Sequence, residues 1–135
     1  MIKYLWIMSL IILLVGCGSG TNNEKVSEAA EEILYKKISP EDAKEMMTED
    51  SLILDVRTKE EFEMGYIVGA VLLPVDQITE GNFQILEDKN QTILIYCRSG
   101  NRSAVAAKAL IEAGYTKVYD FGGIIDWPFE IVKDN

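Results

Sequence analysis

The sequence predicts an α/β protein, a three-layer sandwich in which helices cover both faces of a small parallel sheet. Short runs such as Leu52-Ile53-Leu54 and Thr92-Ile93-Leu94-Ile95-Tyr96 carry no polar alternation, as strands buried on both faces do. Segments of helical character separate these runs, and each parallel crossover needs about a dozen residues or more. The 135 residues, 48% of them hydrophobic, suit one domain of ordinary size with an appendage. There are no internal repeats or low-complexity tracts.

Residues 1–16 are the appendage. Lys3 precedes an apolar stretch through Ile11, Ile12, Leu13, Leu14 and Val15 that ends at Gly16-Cys17. The run is shorter than the roughly 20 residues of a comfortable membrane-crossing helix and reads as a secretory signal. Leu14-Val15-Gly16-Cys17 resembles the bacterial lipoprotein signal, which implies that Cys17 is acylated and becomes the first residue of the mature chain. The competing reading is an uncleaved membrane anchor with an incidental cysteine. Residues 17–37 are expected to form the tether. Gly18 to Val26 is small and polar, and Ser27 to Lys37 has helical spacing with Ala30, Ile33 and Leu34 on one side. The globular domain is expected over residues 38–135.

In chain order, Ile38 ends a short strand and Ser39 caps a helix with Pro40 at its first position and Asp42 in its first turn. Ala43, Met46 and Met47 make its inner face. Ser51 to Val56 is a strand, Lys59 to Met64 a short helix closed at Gly65, and Val71 to Leu73 a third buried strand stopped by Pro74. Asp76 to Leu86 is helical at both ends and interrupted at Gly81-Asn82. Thr92 to Tyr96 is a strand covered on both faces, and a helix rich in alanine runs from Ser103 to a stop at Gly114. Thr116 to Phe121 is the last strand. Ile124 to Val132 leads into a terminal helix interrupted near Pro128, with Trp127 as a core or rim aromatic.

Cys97 stands where the Thr92–Tyr96 strand turns toward its helix. A thiol there faces unpaired backbone N–H groups and the positive end of the helix dipole, both of which favour a thiolate. Gly100 and Asn101 tolerate positive φ, so the loop can curl its N–H groups around an anion. Arg98 and Arg102 add permanent charge, and such surroundings lower a cysteine pKa from about 8.5 to between roughly 3.5 and 7.5. A packing cysteine needs neither flanking arginines nor a Gly-Asn turn.

The run Cys97-Arg98-Ser99-Gly100-Asn101-Arg102-Ser103 resembles the active-site loop of the rhodanese (sulfurtransferase) family. The same order of matches continues in Leu54-Asp55-Val56-Arg57, Glu61-Phe62, Gly65-Tyr66-Ile67-Val68-Gly69-Ala70, Leu73-Pro74, and Gly122-Gly123 with Trp127. Together these cover nearly all of residues 38–130. Tyr66 and Val68 stand where the family usually has His and Pro. The resemblance implies a rhodanese-like sandwich and a catalytic Cys97 that carries a persulfide. Arg98, Ser99, Gly100, Asn101, Arg102 and Ser103 would bind the substrate, and Asp55 and Arg57 would shape the site. Asp55 is expected to accept loop N–H groups, and Arg57 to pair with Glu60 or Glu61.

Composition narrows the chemistry. The chain has no histidine, which excludes Cys-His nucleophile pairs, a histidine general base and histidine metal ligands. Its two cysteines are Cys17 and Cys97, so the domain has no Cys-x-x-Cys redox pair. No metal or cofactor is expected. A thiolate activated by dipoles and arginine charge suits sulfur transfer from an anionic donor such as thiosulfate or a polysulfide to a thiol or cyanide acceptor. Cysteine phosphatases and arsenate reductases are the rival class. Their Cys-x5-Arg loop is one residue longer than the four residues that Cys97 and Arg102 enclose, and Ser103 fills the position of their arginine. A second alternative is a non-catalytic docking or sulfur-carrier module with an envelope protein as its partner.

The net charge of −9 argues against a nucleic-acid partner, which needs a basic face. Membrane attachment must then rest on the acyl chains at Cys17, of which stable anchoring takes two or more. The expected place is the cell envelope, on the extracytoplasmic side of a bacterial membrane.

Overall fold

The computed structural model of the chain describes residues 35–134. The signal expected over 1–16, Cys17 and the part of the expected tether up to residue 34 lie outside the described residues.

Five strands form one parallel sheet: β1 (Tyr35–Lys37), β2 (Ser51–Asp55), β4 (Val71–Leu72), β5 (Thr92–Cys97) and β6 (Val118–Gly123), in spatial order β1-β6-β5-β2-β4. Two further strands, β3 (Tyr66–Ile67) and β7 (Ile131–Val132), pair antiparallel as a small separate ribbon. The helices are α1 (Pro40–Met46), α2 (Lys59–Glu63), α3 (Val75–Thr79) and α4 (Asn101–Glu112), with a 3-10 turn at Ile124–Asp126.

The central strand explains the absence of polar alternation. Ile93, Ile95 and Cys97 face a core made with Ile78 of α3 and with Ala106, Ala107 and Leu110 of α4. Leu94 and Tyr96 face the opposite core with Ala43 of α1, Phe121 and Trp127. Successive side chains of a strand point to opposite faces, so covering both faces demands an apolar residue at every position. The same alternation sends Cys97 toward α4.

Local signals place the helices. Ser39 Oγ accepts the Asp42 N–H at 3.0 Å, with Pro40 at the first helical position as expected. Thr58 and Glu61 form a reciprocal capping box at the start of α2. Gly114, at φ +97°, follows the end of α4 as anticipated.

Several expectations are corrected. Tyr35–Lys37, read as the end of a helical tether, is an edge strand paired with β6, so the sheet begins before residue 38. The strand at Val71 is a two-residue edge strand, and Val71 is exposed rather than buried. Only the first half of Asp76–Leu86 is helical. The terminal helix does not form, because Ile131 and Val132 find pairing partners in Ile67 and Tyr66. Tyr66, in place of the family's usual His, stacks on Phe62 with ring centroids 4.1 Å apart and donates its hydroxyl to Asp134 at 2.6 Å. Val68, in place of the usual Pro, is exposed. Among the described residues, no helix is long and apolar enough to cross a membrane.

Candidate active site

The site sits at the carboxyl end of β5, where ligands bind in open parallel sheets. Gly100, at φ +100°, turns the chain so that α4 starts at Asn101, two residues before the expected Ser103. Asn101 and Arg102 therefore belong to the first helical turn, and only Gly100 uses positive φ in the loop.

Cys97 is buried, and its Sγ accepts the Gly100 N–H at 3.0 Å. Ser103 Oγ lies 3.7 Å from Sγ and donates to the Gly100 carbonyl at 3.0 Å. Burial, the largest single influence, pushes the Cys97 thiol up. The backbone N–H groups of Ser103, Gly100 and Ser99, with the Ser103 hydroxyl, outweigh it, and the net movement is downward. Thiolate stabilisation thus comes from amides of the loop and first turn, more than from the arginine charge that the sequence suggested.

The arginines are distributed differently from expectation. Arg102 binds Glu61 through Nη1–Oε2 at 2.6 Å and Nη2–Oε1 at 2.8 Å. Arg98 is exposed and makes no ion pair among the described residues. Arg57 does not reach Glu60 or Glu61. It is buried with Asp55, its Nη2 2.6 Å from Asp55 Oδ2 and its Nε 3.0 Å from both carboxylate oxygens. Asp55 also accepts the Arg57 backbone N–H, and Arg57 Nη2 donates to the Gly65 carbonyl at 2.8 Å. The guanidinium lies 5.6 Å from the centre of the Tyr96 ring, whose hydroxyl accepts the Ile67 N–H. This cluster holds the β2 end of the site without touching Cys97.

Asp120 went unnoticed in the sequence, and Glu61 and Gly123, both within the matched motifs, have partners that the sequence did not indicate. Glu61 was expected as a partner of Arg57, but its guanidinium partner is Arg102, 41 residues away. Asp120, a lone acid in an apolar strand, is buried and accepts the Tyr35 hydroxyl and the Gly122 N–H, each at 2.9 Å. Gly123 passes so close to Arg98 and Ser99 that a Cβ there would overlap the Arg98 carbonyl. The register between β5 and β6 slips beside it, pairing Ile95 with Asp120 but Cys97 with Gly123. Trp127 is buried against Phe121 in the core.

A cleft of about 240 Å³ opens beside the loop, between Ser99–Asn101 and the ends of β1 and β6. A larger one, about 520 Å³, lies near Thr92 at the opposite end of the sheet. Among the described residues, no group of three Cys, Asp or Glu side chains is placed to hold a metal ion.

A parallel sheet that presents one buried cysteine inside a short amide-lined loop defines a class of protein, and the comparisons identify it. The family model described as Rhodanese-like domain matches residues 39–128, and the chain belongs to that family. The thiosulfate sulfurtransferase PspE of Escherichia coli is 35% identical over 80 residues, covering 59% of this chain and 77% of that protein. A sulfurtransferase of Allochromatium vinosum is 42% identical over 81 residues, covering 59% of this chain and 74% of the relative. Among solved structures, a rhodanese with anions from E. coli matches with a TM-score of 0.57 at 33% identity, over 62% of this chain and 99% of that one. A rhodanese-like domain protein from Staphylococcus aureus matches with 0.63, also at 33% identity, over 74% and 99%.

Proposed function

We propose that the protein is a thiosulfate-type sulfurtransferase working through a Cys97 persulfide. The observation that carries this reading is the Gly100 N–H, 3.0 Å from Sγ in a loop closed by Arg102 after four intervening residues. The amides favour the thiolate and can receive it again when it leaves. Sulfurtransferases among the relatives and the anions in the E. coli rhodanese support an anionic donor.

In the first half-reaction the Cys97 thiolate attacks the outer sulfur of thiosulfate. The donor's S–S bond breaks, sulfite leaves with the bonding pair, and Cys97 keeps the sulfur as a persulfide. In the second, cyanide or a thiolate takes that sulfur and the Cys97 thiolate is regenerated. No general base is required, consistent with a chain without histidine. Arg98 would attract the donor, with Arg102 held by Glu61 as the loop's fixed cation. Asp55 and Arg57 would keep the neighbouring strand end rigid.

Intact mass of the full chain before and after thiosulfate, with Cys97→Ser alongside, tests the reading. A gain of about one sulfur atom, removed by cyanide and absent from Cys97→Ser, is expected. No gain on a reduced, accessible Cys97 would overturn it in favour of a docking module. Turnover of an aryl phosphate, lost in Cys97→Ser, would favour phosphatase chemistry.

We propose also that Cys17 is acylated after removal of residues 1–16 and holds the domain at the extracytoplasmic face of a bacterial membrane. The Leu14-Val15-Gly16-Cys17 run supports this. Labelled fatty acid should enter the wild-type chain and not Cys17→Ala; equal labelling would refute it.

A further inference from the structure

We propose that the cleft between the Cys97 loop and the end of β1 is the acceptor site, and that it takes an amino-acid thiol, a small thiol bearing both an ammonium and a carboxylate group. This rests on the sulfur-transfer reading above.

Asp120 forms the floor of the cleft and is only 2% exposed. Its two oxygens accept from neutral donors, Oδ2 from the Tyr35 hydroxyl and Oδ1 from the Gly122 N–H. Burial, and then Asp120 itself, push the ionisation of Tyr35 well up, so the phenol stays a neutral donor. No lysine or arginine pairs with Asp120 among the described residues. A carboxylate has about four lone-pair sites, so each Asp120 oxygen retains acceptor capacity. A buried acid without a counter-ion favours a ligand that brings one.

Lys37 lies on the cleft wall, opposite Asp120 in the parallel β1–β6 register. It is exposed and makes no ion pair among the described residues. Acid on the floor and amine on the wall complement a zwitterion in the reverse sense. The same acid disfavours thiosulfate, a dianion, in this cleft.

Two glycines connect the cleft to the sulfur. Gly100 lines the cleft while its N–H touches Sγ, and Gly122 lines it with its carbonyl 3.5 Å from the Ser103 hydroxyl oxygen. The outer sulfur of a persulfide stands one S–S bond, about 2 Å, beyond Sγ. The acceptor sulfur attacks that atom, a new S–S bond forms, and the bond to Cys97 Sγ breaks. Cys97 leaves as thiolate into its amide cradle, and the acceptor's thiol proton ends on the terminal sulfur of the product. No oxidant or reductant is consumed.

The test loads the full chain with thiosulfate, verifies the persulfide by intact mass, and follows its single-turnover decay. Cysteine, N-acetylcysteine and cysteine methyl ester are compared at equal thiolate concentration. Asp120→Asn should lower the ratio of the cysteine rate to the N-acetylcysteine rate about tenfold, the loss expected for a charge-assisted hydrogen bond. Lys37→Gln, at an exposed position that does not endanger folding, should lower the ratio of cysteine to its methyl ester about threefold. Both ratios unchanged on a normally loaded persulfide would overturn the acceptor site and leave the sulfur-transfer reading standing. A wild-type chain that takes up no sulfur would overturn both.

Discussion

The Arg102 guanidinium grips Glu61 with both terminal nitrogens, tying the first turn of α2 to the first turn of α4. One Glu61 oxygen also accepts the Thr58 N–H, so the carboxylate is fixed from two directions. Arg102 thus serves the loop as a brace, and its charge is largely spent on Glu61 before a donor arrives.

That brace has an acid limit. Hydrogen bonds from Arg102, chiefly, hold the Glu61 carboxyl at about 2 instead of 4.5. Between these values the native protein binds fewer protons than the unfolded chain, so the contribution is complete above about pH 4.5 and lost as pH falls through about 2. The pair is partly exposed, so the effect is modest. The difference in urea midpoint between wild type and Glu61→Gln should be smaller at about pH 3 than at neutral pH; an equal gap at both would refute the assignment.

Removing the arginine should weaken donor use. Arg102→Ala is expected to raise the KM for thiosulfate on the order of three- to tenfold, by freeing the first turn of α4 and lowering positive charge beside the thiolate. Steady-state kinetics decide it. An unchanged KM would leave donor attraction to Arg98 and the loop amides.

Ser103 contributes both its amide and its hydroxyl to Cys97. Ser103→Ala deletes the hydroxyl alone, so the thiol pKa should rise part of the way toward an ordinary thiol. Ultraviolet thiolate absorbance against pH gives the direction; a pKa that stays put would assign the whole effect to backbone N–H groups.

Arg57→Ala would leave Asp55, fully buried, without its cation. Breaking a buried pair from one side costs about 3–5 kcal/mol. Chemical denaturation should show a loss of that order, and a loss below about 1 kcal/mol would mean that solvent reaches Asp55.

Two glycines separate collision from backbone strain. Gly81→Ala has open space around it and only an unfavourable φ of +85°, so it should lower stability slightly and spare activity. Gly123→Ala drives a methyl into the Arg98 carbonyl and the Ser99 Cα, so the loop must move and persulfide formation should fall at least about tenfold. Equal loading rates for the two variants would show that the loop tolerates the shift.

The β5–α4 unit was legible because its signals are local. An uninterrupted apolar run, a cysteine at its end and an alanine-rich helix stopped by glycine lie within one stretch of chain. The start of α4 was misread by two residues because the run of small and apolar residues begins at Ser103, while Gly100 makes the turn. The C-terminal segment misled for the opposite reason. Ile131 and Val132 take their structure from Tyr66 and Ile67, and nothing near them in sequence announces a strand.

Charge pairing was the least legible feature. Arg57 has acids at positions 55, 60 and 61, and spacing alone pointed down the helix; the chain instead folds Asp55 back beneath it. Glu61 was thereby left for Arg102, and Asp120 was left among neutral donors at the floor of a cleft. Local periodicity and loop composition were enough to indicate the α/β class, the place of Cys97 at the strand end and its amide-rich surroundings. The partners of each charge, and the cleft beside the sulfur, came from the order β1-β6-β5-β2-β4. Electrostatic contacts depend on distance through space, and the sheet brings together strand ends that are far apart in the chain.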